Sequence, residues 1–195
     1  MENILEKSEK NQIRAREIIE KTKIIEIWKS VGAVPNLVGS LRTGLLMKNR
    51  DVDFHIYSDD FKLSDSFKAI SVLAENPRIK HIEYKNLLDT DELCLEWHAW
   101  YLGAENDLWQ IDMIHILKES IYAGRFEFVA DRINAVLTPE TKYAILSIKN
   151  ETPSDQKIMG IEIYKAVIQD GIRNYSDFIQ WREKQTHTGI IDWIP

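Results

Sequence analysis

The sequence predicts an α+β fold: a mixed β-sheet flanked by helices and followed by a C-terminal helical region. Three observations predict it. Apolar residues recur at helical spacing over residues 8–30. From residue 36 to about 117, short runs alternate apolar and polar, as half-buried strands do. Helical spacing then returns and persists to the end. Residues 1–120 are therefore expected to form one unit built on the sheet, with 121–195 as a helical region packed on it.

Composition narrows the function classes. The 195 residues suffice for one sizeable core. Hydrophobic residues make up 44% and charged residues 29%, which suits a soluble globular chain rather than a disordered or fibrous one. The single Cys94 excludes an internal disulfide framework. The polar start Met1-Glu2-Asn3-Ile4-Leu5 lacks a signal peptide's apolar stretch, and no apolar run approaches the roughly 18 residues of a membrane span. A cytoplasmic protein without a membrane partner is expected. Net charge is −6 with no basic stripe. Affinity for long nucleic acid rests mostly on Lys and Arg neutralising phosphates, so such a partner is not expected. A small or cationic substrate suits the balance.

The elements follow in order. In residues 8–30, Ile18, Ile25 and Trp28 share a face among Lys, Arg and Glu, and Gly32 is the stop signal. Pro35 opens a short strand through Gly39. A short helix is expected over residues 41–47, begun by Ser40, whose hydroxyl would cap a free amide. Residues 51–57 alternate as the next strand. Residues 63–75 read as a helix with Ser64 as its cap and Pro77 beyond its end. Strands are expected at 79–84, 93–102 and 108–117, the last two joined by a hairpin loop at 103–107. In the tail, Phe126, Val129, Ile133 and Leu137 have helical spacing. Thr138-Pro139 starts another helix, Pro153-Ser154-Asp155 a third running to Gly171, and Ser176 a fourth.

The chemistry gathers around Leu37-Val38-Gly39-Ser40 and the strand from Asp51. Side chains alternate across a strand, so Asp51, Asp53, His55 and Tyr57 share one face, and Val52, Phe54 and Ile56 the other. The two carboxylates then stand roughly 6–7 Å apart at their bases, pointing the same way. If the strand bearing Asp112 lies alongside, three acids converge. Like charges so close repel unless a cation intervenes, and a hard divalent ion prefers oxygen ligands. Gly39 permits close backbone approach, and amides at the start of the next helix would hold a phosphate oxygen. Arg42 and Lys48 lie in the same connection and would neutralise phosphate charge.

These pieces resemble the nucleotidyltransferase superfamily that includes DNA polymerase beta, in its small bacterial type. The matching residues are Val38-Gly39-Ser40, Asp51-Val52-Asp53-Phe54 and Ile111-Asp112-Met113, with Gly44 five residues after the first glycine. They cover roughly residues 36–57 and 108–116, a minority of the chain. The resemblance implies a nucleotidyltransferase-like catalytic domain over 1–120. In it Gly39 and Ser40 hold a triphosphate, Asp51 and Asp53 bind two Mg²⁺ ions, and Asp112 completes the metal site and helps to activate the acceptor hydroxyl. It implies an enzyme that moves a nucleoside monophosphate from a nucleoside triphosphate, ATP being the expected one, to a hydroxyl of a small molecule or protein. Arg50 stands where small members commonly have Ser, and Arg42 one place earlier than their Arg, which bears on nucleotide choice.

Other residues carry plainer expectations. Glu96 is the substitute if Asp112 is not the third acid. His55 and His115 are expected to be structural, since neither belongs to a His/Cys cluster. Trp97, Trp100 and Trp109 are expected to pack the hairpin, the alternative being stacking on a base or acceptor. Lys142 and Lys149 are expected on solvated helix faces, the alternative being contact with a triphosphate. The helical tail would wall the acceptor site or form a homodimer contact. The sequence also admits two rival functions: an inactive nucleotide-binding regulatory module of the same fold, and a metal-dependent phosphodiesterase.

Overall fold

The computed structural model describes residues 3–185 and 191–195; within the expected C-terminal region, 186–190 lie outside the described residues, as do Met1 and Glu2 at the polar start. The chain begins with helices α1 (Ile4–Thr22) and α2 (Ile24–Ser30). The long apolar pattern promised one helix, but Lys23 adopts a left-handed conformation with φ 53° and divides it in two. Both halves still face the same core, through Ile18 on α1 and Ile24 and Trp28 on α2. The first helix starts earlier than residue 8, because Asn3 caps it and Glu6 reaches back to the Asn3 amide.

Five strands follow: β1 (Ala33–Val38), β2 (Asp51–Ser58), β3 (Ile79–Asn86), β4 (Cys94–Leu102) and β5 (Leu108–Ile116). They form one sheet in the order β1-β2-β5-β4-β3, with β2 and β5 parallel and the other neighbours antiparallel. Pro35 is tolerated in β1 because that strand is at the sheet edge, where a missing amide breaks little of the ladder. Helix α4 (Leu63–Ala74) and the β3–β4 hairpin supply the crossover that a parallel pair requires. Helix α4 is capped by Lys62 rather than Ser64, without a side-chain hydrogen bond.

One sheet face carries Val52, Phe54 and Ile56 of β2, Ile111 and Met113 of β5, and Leu95 and Trp97 of β4. It packs on α1, α2 and α4 to make the main core. Burying an apolar side chain of this size stabilises by about 1.5–3 kcal/mol, which fixes the register and turns the aspartates to the other face.

The connection after β1 departs from expectation. Helix α3 (Gly39–Arg42) is a single turn with Val38 at its cap position, so Ser40 is not the cap. Gly44 (φ 68°) ends the turn, and Leu45, Leu46 and Met47 run on into the interior instead of continuing a helix. Leu46 enters the main core and Leu45 enters a second one. That second cluster is built by α5 (Arg125–Val136), α6 (Pro139–Glu151), α7 (Gly160–Ile168) and α8 (Tyr175–Glu183), with Trp193. Thr138 and Pro139 start α6 as read. Helix α7 does not start at Pro153. A turn closes there, with the Gln156 amide donating to the Pro153 carbonyl at 3.1 Å. The start is set at Met159, whose amide donates to the buried Glu162 carboxylate at 3.0 Å. Helix α8 is capped by Asn174, whose side chain accepts from the Asp177 amide at 2.9 Å. Among the described residues no helix is long and apolar enough to cross a membrane.

Candidate active site

The β2–β5 register aligns Asp53 with Asp112 and Asp51 with Gln110. Three carboxylates from two adjacent strands thereby meet on the face opposite the main core. Next to them, Val38 is the cross-strand partner of Asp53, and the chain turns at Gly39 with φ 66°. A Cβ on Gly39 would overlap the Asp53 carboxylate. Glycine is therefore required twice, for its left-handed backbone and for the space that Asp53 occupies.

Burial and mutual repulsion set the electrostatics of these acids. Burial, with Asp51 and Asp112 alongside, pushes the Asp53 carboxyl up to about 8. Asp51 is raised as well, chiefly by burial and further by Asp112, while Lys149 pulls it down. Among the described residues nothing bonds the buried Oδ1 of Asp51 or the buried Oγ of Ser40. A buried polar atom without a partner costs about 1–3 kcal/mol. An orphaned carboxylate oxygen beside two further aspartates and an orphaned hydroxyl suits a hard divalent ion and its bound phosphate. The donor set thus fits Mg²⁺, with Asp51, Asp53 and Asp112 as the oxygens that would hold it.

Asp112 is positioned from two sides. His98 Nδ1 donates to its Oδ1 at 2.6 Å, and Gln110 Nε2 donates to the same oxygen at 2.7 Å. Glu96, the substitute acid, stands one strand further out on β4 and pairs with Lys85 at 3.3 Å. Asp112, not Glu96, neighbours Asp53. A tighter set of three ligand-type side chains, within 4.8 Å of one another, occurs at Glu92, Cys94 and Glu96. Burial pushes the Cys94 thiol up to about 12, so it is neutral at ordinary pH and a poor metal ligand.

Asp51 and Asp53 open onto a cleft of about 320 Å³ between the sheet and the helical tail, and Asp112 stands outside its lining. Gly39, Ser40, Thr43, Asp51 and Asp53 form one wall. The opposite wall is largely apolar and includes Phe126, Val129 and Ile133 of α5, Ile161 and Tyr164 of α7, and Trp193. An apolar slot ending in a few convergent polar groups is the usual form of a small-molecule site.

The cations differ from those expected. Arg42 turns away, pairing with Asp131 at 2.7 Å and donating to the Leu37 carbonyl at 3.0 Å. Lys48 donates to the carbonyls of Asn150 and Thr152, tying the connection to the end of α6. Neither lines the cleft. Lys149 and Arg125 do. Lys149 is buried rather than solvated, its Nζ donating to the Leu45 carbonyl at 2.8 Å and to the Tyr164 hydroxyl at 3.3 Å. Arg125 pairs with Asp192. The available signal for Lys149 was its place in the Ala144–Ile145–Ile148 apolar stripe of α6, which turns it inward.

The two histidines are both buried. His55 is buried against Phe126, with Glu127 at 3.7 Å. His115 lies in the interior 2.9 Å from the Ser58 hydroxyl, and burial lowers it to about 4, so it stays neutral. Trp97 and Trp109 are core residues, their indole N–H groups donating to Ser66 and Asp107, each at 2.9 Å.

This sheet with its flanking helices has the fold of solved nucleotidyltransferase structures. Its solved likenesses include a cytoplasmic RNA terminal U-transferase, at 13% identity and TM-score 0.55, covering 81% of this chain and 47% of that one. The non-canonical poly(A) polymerase complex GLD-2–GLD-3 gives 12% identity and TM-score 0.54, covering 90% of this chain and 61% of its counterpart. Cid1, described for its RNA terminal uridylyl transferase activity, gives 14% and 0.56, covering 81% of this chain and 46% of Cid1. The chain thus spans about half to three fifths of these structures' length. By sequence, no family model and no curated protein matches it.

Proposed function

We propose that this chain is a Mg²⁺-dependent nucleotidyltransferase that moves a nucleoside monophosphate from a nucleoside triphosphate to a hydroxyl of a small molecule or protein. The observation that carries the reading is the meeting of Asp51, Asp53 and Asp112 beside the Gly39 turn, with two acids raised and Asp51 Oδ1 and Ser40 Oγ left unbonded. Asp51, Asp53 and Asp112 would hold the metal; when bound, it offsets charge on the phosphates and on the leaving group. The amides after Gly39 and the Ser40 hydroxyl bind phosphate oxygens, and Lys149 and Arg125 supply positive charge from the opposite wall. Arg42 and Lys48 act instead as braces between the connection and the tail.

The acceptor oxygen attacks the α-phosphorus, the bond to the β-phosphate's bridging oxygen breaks, and pyrophosphate leaves. The acceptor's proton passes to Asp112, whose second oxygen is the free one because His98 and Gln110 both bind Oδ1. The apolar wall around Phe126, Ile161 and Trp193 takes the nucleoside. Residues 1–120 are then the catalytic unit, and 121–195 the wall that closes the nucleotide site, in place of a homodimer contact. ATP is the expected nucleotide and the cytoplasm, where nucleoside triphosphates are supplied, the expected location.

The test is pyrophosphate release with each nucleoside triphosphate and Mg²⁺ across a panel of acceptors, with the Asp51→Ala/Asp53→Ala double variant as control. Release that needs both acids and one class of acceptor supports the reading. Equal turnover by the double variant overturns it.

A further inference from the structure

A second cavity, of about 340 Å³, adjoins the nucleotide cleft, between the connection at residues 47–50 and the turn that follows α6. Asn49, Lys149 and Ile158 line both cavities and so form the partition between them. Gly39, Ser40, Asp51 and Asp53 line the first alone. The second has the opposite charge character. Lys48, Arg50 and Lys149 line it and no carboxylate does, although the chain has 31 acidic side chains against 25 basic ones. Asp155, in the adjoining turn, is exposed and outside the lining. Its neighbours Ser154 and Gln156 bring a hydroxyl and an amide to the wall.

The two lysines have oxygens around them but no counter-charge. Lys48 Nζ donates to the Asn150 and Thr152 carbonyls, and Lys149 Nζ to the Leu45 carbonyl and the Tyr164 hydroxyl. All of these partners are neutral. An ammonium has three N–H donors, so each lysine keeps one beyond these bonds. Burial, with Lys7 nearby, holds the Lys48 ammonium below its ordinary value, as befits a cation short of negative charge. Arg50 reaches a carboxylate, Asp107 at 3.1 Å, but through Nε alone, and Asp107 stands outside the cavity. The end of α6 explains the direction of Lys48, since the carbonyl end of a helix attracts cations. It does not explain why three cations and no acid surround one cavity.

We propose that this cavity binds a small phosphate-type anion without a metal, at a site separate from the triphosphate cradle at Gly39 and Ser40. Phosphate oxygens take charge-assisted hydrogen bonds from ammonium and guanidinium groups directly. The anion has two possible sources. One is pyrophosphate, which the transferase reading frees on the far side of the Lys149 partition. The other is the phosphate group of a phosphorylated small molecule. Only the first source rests on the transferase reading; the site itself stands on the cavity and its charges.

The test is isothermal titration calorimetry of the intact protein in EDTA with pyrophosphate, orthophosphate and glycerol phosphate, and with succinate as a phosphate-free dianion. Gln156→Glu, Gln156→Lys and Arg125→Gln are titrated alongside, each checked for folding by circular dichroism. Glu at 156 keeps the oxygen that accepts from the Tyr175 hydroxyl at 3.3 Å, so it adds charge to the cavity with little change of shape. Arg125 lines the first cavity only. The expected result is binding of phosphate-type anions in preference to succinate. It should be about tenfold weaker in Gln156→Glu, as strong or stronger in Gln156→Lys, and within about twofold of the parent in Arg125→Gln. Tightest binding of pyrophosphate identifies the leaving group, and tightest binding of glycerol phosphate a phosphorylated small molecule. No anion binding by the parent, equal binding by Gln156→Glu, or a loss confined to Arg125→Gln overturns the proposal. A non-hydrolysable nucleoside triphosphate analogue with Mg²⁺ is titrated into the same proteins. Its affinity should stay within about threefold in Gln156→Glu, because the charge added there is beyond the partition. A parallel loss of analogue and anion would make the cavity part of the nucleotide site and overturns the proposal. If the parent binds the anions but no analogue, the transferase reading fails and the anion site stands. If it binds the analogue but none of the anions, the anion site fails alone.

Discussion

Replacing Asp53 with Asn should make the metal-free protein more stable, although it removes a residue at the centre of the site. Asn keeps the volume beside Gly39 and deletes the charge. In the folded chain the Asp53 carboxyl sits at about 8, against an ordinary value of 3.8. Because the folded value is raised, ionising the group works against the fold. The penalty is absent below about pH 4, grows as pH rises, and is complete above about pH 8. Each pH unit of that window corresponds to about 1.4 kcal/mol, which sets a ceiling of roughly 5 kcal/mol near pH 8. Asp51 and Asp112 share the repulsion, so the gain expected from Asp53→Asn is about 2–4 kcal/mol. For a domain of this size each kcal/mol moves Tm by about 2–4 °C. Thermal melts in EDTA should show the variant at least about 5 °C above the parent at pH 8, with the gain shrinking to about 2 °C at pH 4.5. Added Mg²⁺ should raise the parent's Tm and leave the variant's nearly unchanged. A gain independent of pH, or none at pH 8, would refute the claim that repulsion among buried carboxylates is held in this site.

Other outcomes follow from neighbouring contacts. Gly39→Ala places a Cβ against the Asp53 carboxylate on a left-handed backbone. The backbone alone costs about 1–2 kcal/mol, so melts should fall by several degrees and pyrophosphate release by more than tenfold. Lys149→Met leaves the Leu45 carbonyl without its donor and removes the charge that steadies Asp51 and Asp53. A hydrogen bond to a charged group contributes about 1.5–3 kcal/mol, so triphosphate affinity measured by calorimetry should drop about 10- to 100-fold. Ser40→Ala should weaken the same affinity by a few-fold while raising the Tm of the metal-free protein by a few degrees, since it removes a buried hydroxyl that has no partner. Asp112→Asn should abolish turnover yet retain nucleotide binding, separating proton transfer from recognition in one pair of measurements.

What the sequence made legible was local. Alternation over residues 51–57 and 108–117 placed Asp51, Asp53 and Asp112 on the correct faces, because a one-residue slip would have exposed Phe54 and Met113. Breaks without a local signal were not legible. Lys23 divides the first helix although Lys is no favoured left-handed residue, and only the packing of both halves on one core explains it. Nothing local marks that the helix expected over residues 41–47 stops at Arg42, because the apolar residues 45–47 serve burial between two cores. The cations were least legible. Lys149 and the Leu45 carbonyl it reaches are 104 residues apart, and a long side chain's target depends on tertiary placement that periodicity does not encode. Arg42 and Lys48 were near the site in sequence and turned away in space for the same reason.

The central claim is that the three aspartates serve transfer of a nucleoside monophosphate rather than hydrolysis or silent binding. Phosphorus NMR of the products formed from a nucleoside triphosphate, Mg²⁺ and a panel of hydroxyl-bearing acceptors tests it most directly. The account predicts a pyrophosphate resonance and a matching phosphodiester resonance, both absent with the Asp51→Ala/Asp53→Ala protein. Orthophosphate with nucleoside diphosphate, or the same products from the double variant, would contradict it.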